Sequence, residues 1–118
     1  MDNYITQQEV NQFELLQPLL RATYIELQEL SKKKPESPLN GYKVKAINRV
    51  IEPIKELFKN EPTYNFLDIL DSDDLPTNSD VVLILSQYQK SMEMFKSRHY
   101  SDYKWKINQP LTTDKRKK

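Results

Sequence analysis

The chain contains a single histidine, His99, and no cysteine, so few of its side chains can serve as a nucleophile, a base or a metal ligand. A catalytic triad that used His99 would need serine and aspartate partners, and no local motif identifies them. His99 also lies at the end of an apolar helical face, where a lone histidine is more often a packed or capping residue than a base. We therefore interpret His99 as structural and predict that the protein is not an enzyme and has no cofactor.

Carboxylates are the other candidate metal ligands. Residues 71–74 (Asp-Ser-Asp-Asp) are similar to the start of a calcium-binding loop, which would need glycine at its sixth position and glutamate at its twelfth. Those positions hold Pro76 and Val82. A ferritin-like site would need Glu-x-x-His on two helices, and one histidine does not provide it. The sequence predicts no metal site at this loop or at the two carboxylate pairs, Glu26 with Glu29 and Glu52 with Glu56.

Lysine and aromatic residues alternate after His99, and a second basic group lies near residue 45. Such mixtures bind single-stranded nucleic acid, because bases stack on rings while cations contact phosphates. The alternative is a solvated tail with an aromatic anchor that returns to the core. The candidate partner-binding residues are Tyr100, Tyr103, Lys104, Trp105, Lys106, Lys43, Lys45 and Arg49.

The elements that would position these residues are predicted to be helices. The 118 residues include one glycine and seven prolines, and tight hairpins depend on glycine at positive φ. Leu, Glu, Lys and Gln dominate the long segments, and these residues favour helix. We predict an all-α fold, a three-helix up-down bundle with kinked helices and a short fourth helix.

Capping and apolar spacing predict where the helices lie. Helix one begins at Thr6, in a capping box with Glu9, and stops before Pro35. Helix two covers about residues 42–59, the short fourth helix 64–70, and helix three about 79–99. The apolar spacing keeps its phase across the internal prolines, so we predict that Pro18 and Pro53 bend continuous helices.

The apolar positions also predict a core and a surplus. The spacing places eleven residues in the core: Phe13, Leu16, Leu20, Leu27, Ile47, Ile51, Ile54, Leu85, Tyr88, Met92 and Phe95. Leu15, Leu19 and Ile25 widen the stripe of helix one, so we expect that helix to be packed on more than one side. Helix three adds alternating spacings of four and three residues, which suit helix pairing.

Charge is distributed in blocks although the formal net charge is only +1. Residues 61–80 carry six carboxylates and no lysine or arginine, whereas residues 81–118 carry nine cations and three carboxylates. We expect the acidic block to pair with the basic residues from Lys104 onward within one molecule. The alternative leaves the acidic block solvated and Tyr103 to Lys106 free to face a partner.

The organisation predicted from these features is a helical domain over residues 1–109 and a basic carboxy-terminal tail over residues 110–118. The amino terminus lacks the pattern of a secretory signal, and the longest apolar run, residues 81–85, is far shorter than the roughly 20 residues that span a bilayer. We therefore expect a cytoplasmic protein with no membrane partner. Its predicted function is non-catalytic: binding a protein partner or itself through a helical face, with nucleic-acid binding as the alternative.

Overall fold

The structure of the protein, a computed structural model, describes residues 3–108. It consists of α1 (Gln7–Lys33), α2 (Gly41–Leu57), a 3-10 turn (Tyr64–Phe66), α3 (Asn78–His99) and a hairpin of β1 (Tyr100–Ser101) and β2 (Lys104–Trp105). The predicted mostly helical class is confirmed, and the hairpin is an addition to it. None of the helices within residues 3–108 combines enough length and apolar character to cross a membrane.

Side-chain caps define where the helices begin. Thr6 and Glu9 form the predicted capping box, in which Glu9 N donates to Thr6 Oγ1 at 3.0 Å and Thr6 N donates to Glu9 Oε1 at 2.8 Å. Thr77 and Asp80 form a second box at the start of α3. α2 begins after Asn40, whose Oδ1 accepts from Lys43 N at 2.8 Å. Each cap satisfies backbone donors that the first turn of a helix leaves without partners.

Both internal prolines lie inside uninterrupted helices. α1 continues through Pro18 and α2 continues through Pro53, as the unbroken phase of the apolar residues predicted. Each proline lacks the N–H that would bond to the carbonyl four residues earlier, so it removes one helical hydrogen bond without ending the helix. That the two helices bend at these points stays a prediction.

The core contains all eleven residues that the apolar spacing predicted. Each of them is at most 4% exposed, and further residues from the connections complete the core, among them Ile5, Leu39, Phe58, Leu67 and Leu70. Leu15, Leu19 and Ile25 are 60%, 47% and 47% exposed. The expectation that α1 is packed on more than one side was therefore wrong for the single chain, because α2 and α3 cover only one side of this helix.

The helix directions follow from contacts at the two ends of the molecule. Asn78, at the start of α3, donates from Nδ2 to the Lys34 carbonyl at 2.8 Å, next to the end of α1. At the other end the ring of His99 hydrogen-bonds the Asn3 carbonyl, just before α1. α2 begins beside the start of α3, where Leu39 N donates to Pro76 O at 2.9 Å. It ends beside the last turns of α3, where the Phe58 and Phe95 ring centroids are 4.8 Å apart.

α2 and α3 therefore run in the same direction, and α1 runs opposite to both. The predicted up-down order is not confirmed, because it requires each helix to reverse the direction of the one before. The chain returns from the end of α2 to the start of α3 through residues 58–77. Spacing along the sequence does not reveal such a return, since a long connection and a short turn are compatible with the same helix lengths.

The returning connection is held by side chains from the helices that it passes. Asn48 of α2 donates from Nδ2 to Leu70 O and accepts from Leu70 N through Oδ1, both at 3.0 Å. Tyr88 of α3 donates its hydroxyl to Asp68 O at 2.9 Å. The predicted fourth helix is not confirmed, since only the 3-10 turn forms in this region. Asn48 gives both backbone groups of Leu70 the hydrogen-bond partners that a helix would otherwise supply.

The buried hydroxyl of Tyr88 makes stability depend on pH. Burial raises the pKa of Tyr88 well above the ordinary 10.0, and the charges of Asp68 and Glu52 add to the rise. Above pH 10 the unfolded chain releases this proton while the folded chain keeps it, so the free energy of unfolding falls as pH rises.

We therefore expect Tyr88→Phe to lower the free energy of unfolding by about 1 kcal/mol at pH 7, through the lost hydrogen bond. At pH 11 the variant should recover much of this deficit, because phenylalanine has no proton to release. Urea unfolding at both pH values measures the difference. Tyr42→Phe, at a ring that is 76% exposed, should follow the wild type. A deficit for Tyr88→Phe that is equal at both pH values would contradict this account.

Candidate functional site

The hairpin after α3 brings together five of the residues predicted to bind a partner. β1 and β2 pair antiparallel, with Tyr100 opposite Trp105 and Ser101 opposite Lys104. The two turn residues, Asp102 and Tyr103, have φ angles of 54° and 64°. Positive φ at both central positions is typical of the tight hairpin turn that usually contains glycine. This turn forms without glycine, which is why the glycine count did not predict it.

Tyr103 combines an unfavourable backbone with an exposed ring. A non-glycine residue at positive φ costs on the order of 1–2 kcal/mol. The Tyr103 side chain is 97% exposed, so no contact within the described residues offsets that cost through burial. Strained backbone clusters at binding sites, and tyrosine is enriched at interfaces, so Tyr103 is a candidate contact residue.

Trp105 anchors the hairpin to the core. Its ring lies edge-on to Phe13, with centroids 5.1 Å apart, and to Tyr100, at 5.3 Å. Its Nε1 donates to Glu14 Oε2 over a long 3.4 Å. The side chain is half-buried, so the interpretation of an aromatic anchor returning to the core fits this residue.

A cavity of about 660 Å³ lies between the hairpin and the first turns of α1. Tyr100, Tyr103, Lys104, Trp105 and Lys106 all line it from the hairpin side. The lining from the opposite side includes Tyr4, Gln7, Val10 and Glu14. Aromatic side chains, two lysines and one carboxylate therefore line one hollow, a composition suited to an aromatic or anionic group.

The remaining three candidate residues lie elsewhere. Lys43, Lys45 and Arg49 belong to the first half of α2, which begins at the end of the molecule opposite the hairpin. All three residues are exposed, and Lys43 also lines a groove between α1 and α2. The eight predicted residues therefore form two separate groups. The sequence did not show this separation, because it does not tell at which end of the molecule each group lies.

The α1–α2 groove is the second candidate site. It has a cavity of about 330 Å³ at one end, which we name the Lys43 end, where Glu26 lies across from Lys43. It has another of about 300 Å³ at the opposite end, which we name the Glu56 end, where the lining includes Glu56 and Lys59. Two helices thus form an elongated surface with a hollow at each end.

The middle of the groove has apolar walls. Positions 12, 15, 19, 22 and 26 form one row of α1, and positions 43, 46, 50, 53 and 57 form one row of α2. In both rows the spacing alternates between three and four residues, the repeat by which helices pack along their length. Leu15 and Leu19 lie on the α1 row between the two hollows, and they are 60% and 47% exposed.

His99 belongs to a polar cluster that the sequence did not reveal. Its Nε2 lies 2.9 Å from Glu61 Oε2, and its Nδ1 faces the Asn3 carbonyl. Arg98 donates from a guanidinium nitrogen to Glu61 Oε1 at 3.0 Å. The His99 side chain is 3% exposed, and both ring nitrogens have protein partners. His99 of α3 therefore contacts the segment before α1 and the segment after α2. In the sequence, only its position after α2 distinguished Glu61.

The acidic block has a different arrangement from the one expected. Within residues 3–108 its ion pairs to other segments run from Glu61 to Arg98 and His99, and none joins it to Lys104 or Lys106. The predicted tail, residues 110–118, lies outside the described residues. Near Asp71 the loop forms its own turn, with Asp73 N donating to Asp71 Oδ1 at 2.8 Å. No group of three metal-ligating side chains gathers in residues 3–108.

Comparison with known proteins adds no relationship to this geometry. No family model matches the chain, and neither the curated proteins nor the solved structures contain a match to it. The function must therefore be argued from the two candidate sites themselves.

The Glu61 cluster makes a specific contribution to stability. We expect Glu61→Gln to lower the free energy of unfolding by about 2–3 kcal/mol, because it leaves Arg98 and His99 facing a neutral partner in a largely buried setting. Chemical denaturation at pH 7 measures this loss. Glu93→Gln is the matched control, since Glu93 pairs with Lys90 where both side chains are about 70% exposed, and it should cost no more than about 0.5 kcal/mol. Equal losses for the two variants would show that the cluster is not a stabilising unit.

Proposed function

We propose that the protein is a non-catalytic, cytoplasmic interaction or regulatory protein that binds a protein partner, or itself, through the α1–α2 groove. The observation that carries this proposal is the exposure of Leu15 and Leu19 on a row of α1 whose neighbours line the two hollows. Leucine side chains in water lose the favourable free energy of burial, about 25 cal/mol per Å² of apolar surface. A partner that covers this row recovers it.

The form of the groove indicates what kind of partner surface fits. Two parallel rows with spacings of three and four residues accept the ridge of another helix, as in helix-in-groove recognition. The hollows at the ends of the groove provide space for side chains of that helix. A helical protein surface is therefore the occupant that this proposal names.

The chemistry of the most reactive side chain supports a non-catalytic role. Both ring nitrogens of His99 contact protein groups, so a substrate would have to displace Glu61 or Asn3 before His99 could transfer a proton. The side chain is also buried. A binding function requires no such rearrangement.

Photo-crosslinking tests the proposal directly. Benzoylphenylalanine replaces Leu19 in cells that produce the protein naturally, and the same residue replaces Leu83, a 62% exposed leucine on α3, in the control. We expect irradiation to yield a discrete crosslinked protein from position 19 and much less product from position 83. No product from position 19, or the same product from both positions, would contradict binding through the groove.

Nucleic-acid binding at the hairpin is the second candidate function. The observation that favours it is the cavity where the rings of Tyr100, Tyr103 and Trp105 meet Lys104 and Lys106. Aromatic side chains stack on bases, and each stacked base contributes roughly 1–3 kcal/mol. Lysines beside the rings would contact the phosphates that connect those bases.

The positive φ of residue 103 permits a substitution that removes the ring and leaves the backbone unchanged, and this variant tests the second function. Tyr103→Gly removes the ring but suits the positive φ, so the hairpin should keep its shape. If the hairpin binds nucleic acid, fluorescence anisotropy with a labelled single strand should show affinity that falls steeply with salt and at least about tenfold in Tyr103→Gly. Tyr42→Ala, at an exposed ring on α2, should bind like the wild type. Unchanged affinity in Tyr103→Gly would rule out stacking on the Tyr103 ring.

A further inference from the structure

The ring of His99 faces a hydrogen-bond acceptor at each of its two nitrogens. Nε2 lies 2.9 Å from Oε2 of Glu61, and Nδ1 faces the carbonyl oxygen of Asn3. An ionised carboxylate and a backbone carbonyl can only accept hydrogen bonds, so each contact requires a proton on the ring nitrogen. A neutral imidazole carries one N–H, whereas the charged imidazolium carries two. Both hydrogen bonds therefore form together only when His99 is protonated.

One carboxylate and one guanidinium are the charged groups beside the ring. Glu61 comes from the connection after α2, and its other oxygen, Oε1, accepts from Arg98 at 3.0 Å, as an ionised carboxylate does. From α3 itself, Phe95 contributes an uncharged ring whose centroid is 4.6 Å away. The hairpin contacts His99 through its backbone, since Lys106 N donates to the His99 carbonyl at 2.8 Å. In the part of the chain that the structure describes, the ring therefore pairs with one carboxylate, which is shared with one arginine.

The segment that contains Asn3, residues 3–5, also pairs with the chain that follows the hairpin. Ile5 N donates to Lys106 O at 2.9 Å, and Ile5 O accepts from Asn108 N at 2.6 Å. The segment is thus held by backbone bonds at one residue and by the histidine ring of α3 two residues earlier. Only the second of these attachments depends on a proton that a side chain can lose near neutral pH.

We propose that His99 is a pH-sensitive switch that holds the amino-terminal segment when its ring is protonated and releases it when the ring becomes neutral. As pH rises, the proton on Nδ1 passes to solvent, and the lone pair left there faces the Asn3 carbonyl. The proton on Nε2 stays, because a hydrogen bond to a carboxylate is stronger than one to a neutral carbonyl. Tyr4 lies between Asn3 and Ile5 and lines the hairpin hollow, so the release changes one wall of that hollow.

Burial is what makes the loss of one proton matter. The side chain of His99 is 3% exposed and that of Glu61 is 10% exposed. A buried acceptor that loses its donor bears the full cost of desolvation, whereas the same acceptor in an opened segment bonds to water. The protonated ring therefore favours the docked segment, and the neutral ring favours the open one. This stabilisation is present at low pH while Glu61 is ionised, and it is lost as pH rises through the titration of the ring.

Nuclear magnetic resonance on the full chain tests the switch. From about pH 5.5 to about pH 9, ring nitrogen shifts report the protonation of His99, and hydrogen exchange relative to the intrinsic rate reports the protection of the Ile5 and Asn108 amides. We expect both ring nitrogens to be protonated at the low end. Protection of both amides should fall about tenfold as Nδ1 loses its proton, the effect of one lost hydrogen bond. The Leu39 amide, which bonds to Pro76 O at the other end of the molecule, should keep its protection.

Three results would overturn the proposal. The first is a ring with one unprotonated nitrogen already at about pH 5.5, and the second is a ring that keeps both protons up to about pH 9. The third is protection at Ile5 that does not change when Nδ1 loses its proton. None of these outcomes depends on what binds in the α1–α2 groove, so the proposed function is tested separately.

Two variants assign the effect to this ring. His99→Phe keeps an aromatic ring beside Phe95 and every other titrating group, the α-amino group included, so protection at Ile5 should be low and independent of pH. PH-dependent protection that persists in this variant would contradict the assignment. Glu61→Gln removes the charge that faces Nε2, so the fall in protection should move to lower pH. An unchanged midpoint in Glu61→Gln would show that the carboxylate does not hold the charged ring.

Discussion

The stacking of aromatic rings around Phe95 is the contact on which the rest of the structure depends. Its ring centroid lies 5.4 Å from that of Phe13 on α1, 4.8 Å from that of Phe58 after α2, and 6.3 Å from that of Trp105 in the hairpin. α1, the residue that caps α2 and the hairpin therefore all contact one residue of α3. Each aromatic pair contributes roughly 0.5–1.5 kcal/mol beyond the area it buries, and each also sets the position of one element relative to the others.

The cluster determines where the chain can carry function. Phe13 and Trp105 both pack in this cluster, so the hairpin is held against α1. The residues that line the hollow beside Tyr103 are thereby held in place. Within residues 3–108, the row of α1 that contains Leu15 and Leu19 remains exposed, since α2 and α3 pack against the row that contains Leu16 and Leu20. One helix thus separates an aromatic, basic hollow from an apolar, helix-shaped groove. The groove is the more informative surface, because the exposed Leu15 and Leu19 lie on a row whose spacing suits a helical partner.

The return of the chain through residues 58–77 explains the unusual helix directions. A connection that crosses the length of the domain must satisfy its backbone polar groups, and here Asn48 and Tyr88 provide partners from the helices it passes. Glu61 holds the beginning of the connection to Arg98 and His99. Asn48 of α2 and Tyr88 of α3 hold this connection, and the connection allows the two helices to run in the same direction. The acidic character of this segment thus has a partly structural origin.

The sequence by itself determined the local features. Capping boxes, apolar spacing and the unbroken phase across Pro18 and Pro53 predicted the three helices and the core, because those signals depend on residues within a few turns of one another. The same signals did not predict the hairpin, since Asp102 and Tyr103 adopt positive φ without glycine. The predicted fourth helix is not confirmed, and Asn48 bonds both backbone groups of Leu70 in that region.

Only the tertiary structure decided which apolar residues remain exposed, which charges meet and in which direction the helices run. Leu20 and Leu19 are adjacent leucines on one helix, yet one is fully buried and the other is half exposed. Periodicity assigns them to different faces, but it does not say how many faces the rest of the chain covers. That number depends on contacts between residues far apart in sequence, whose free energies no local pattern encodes.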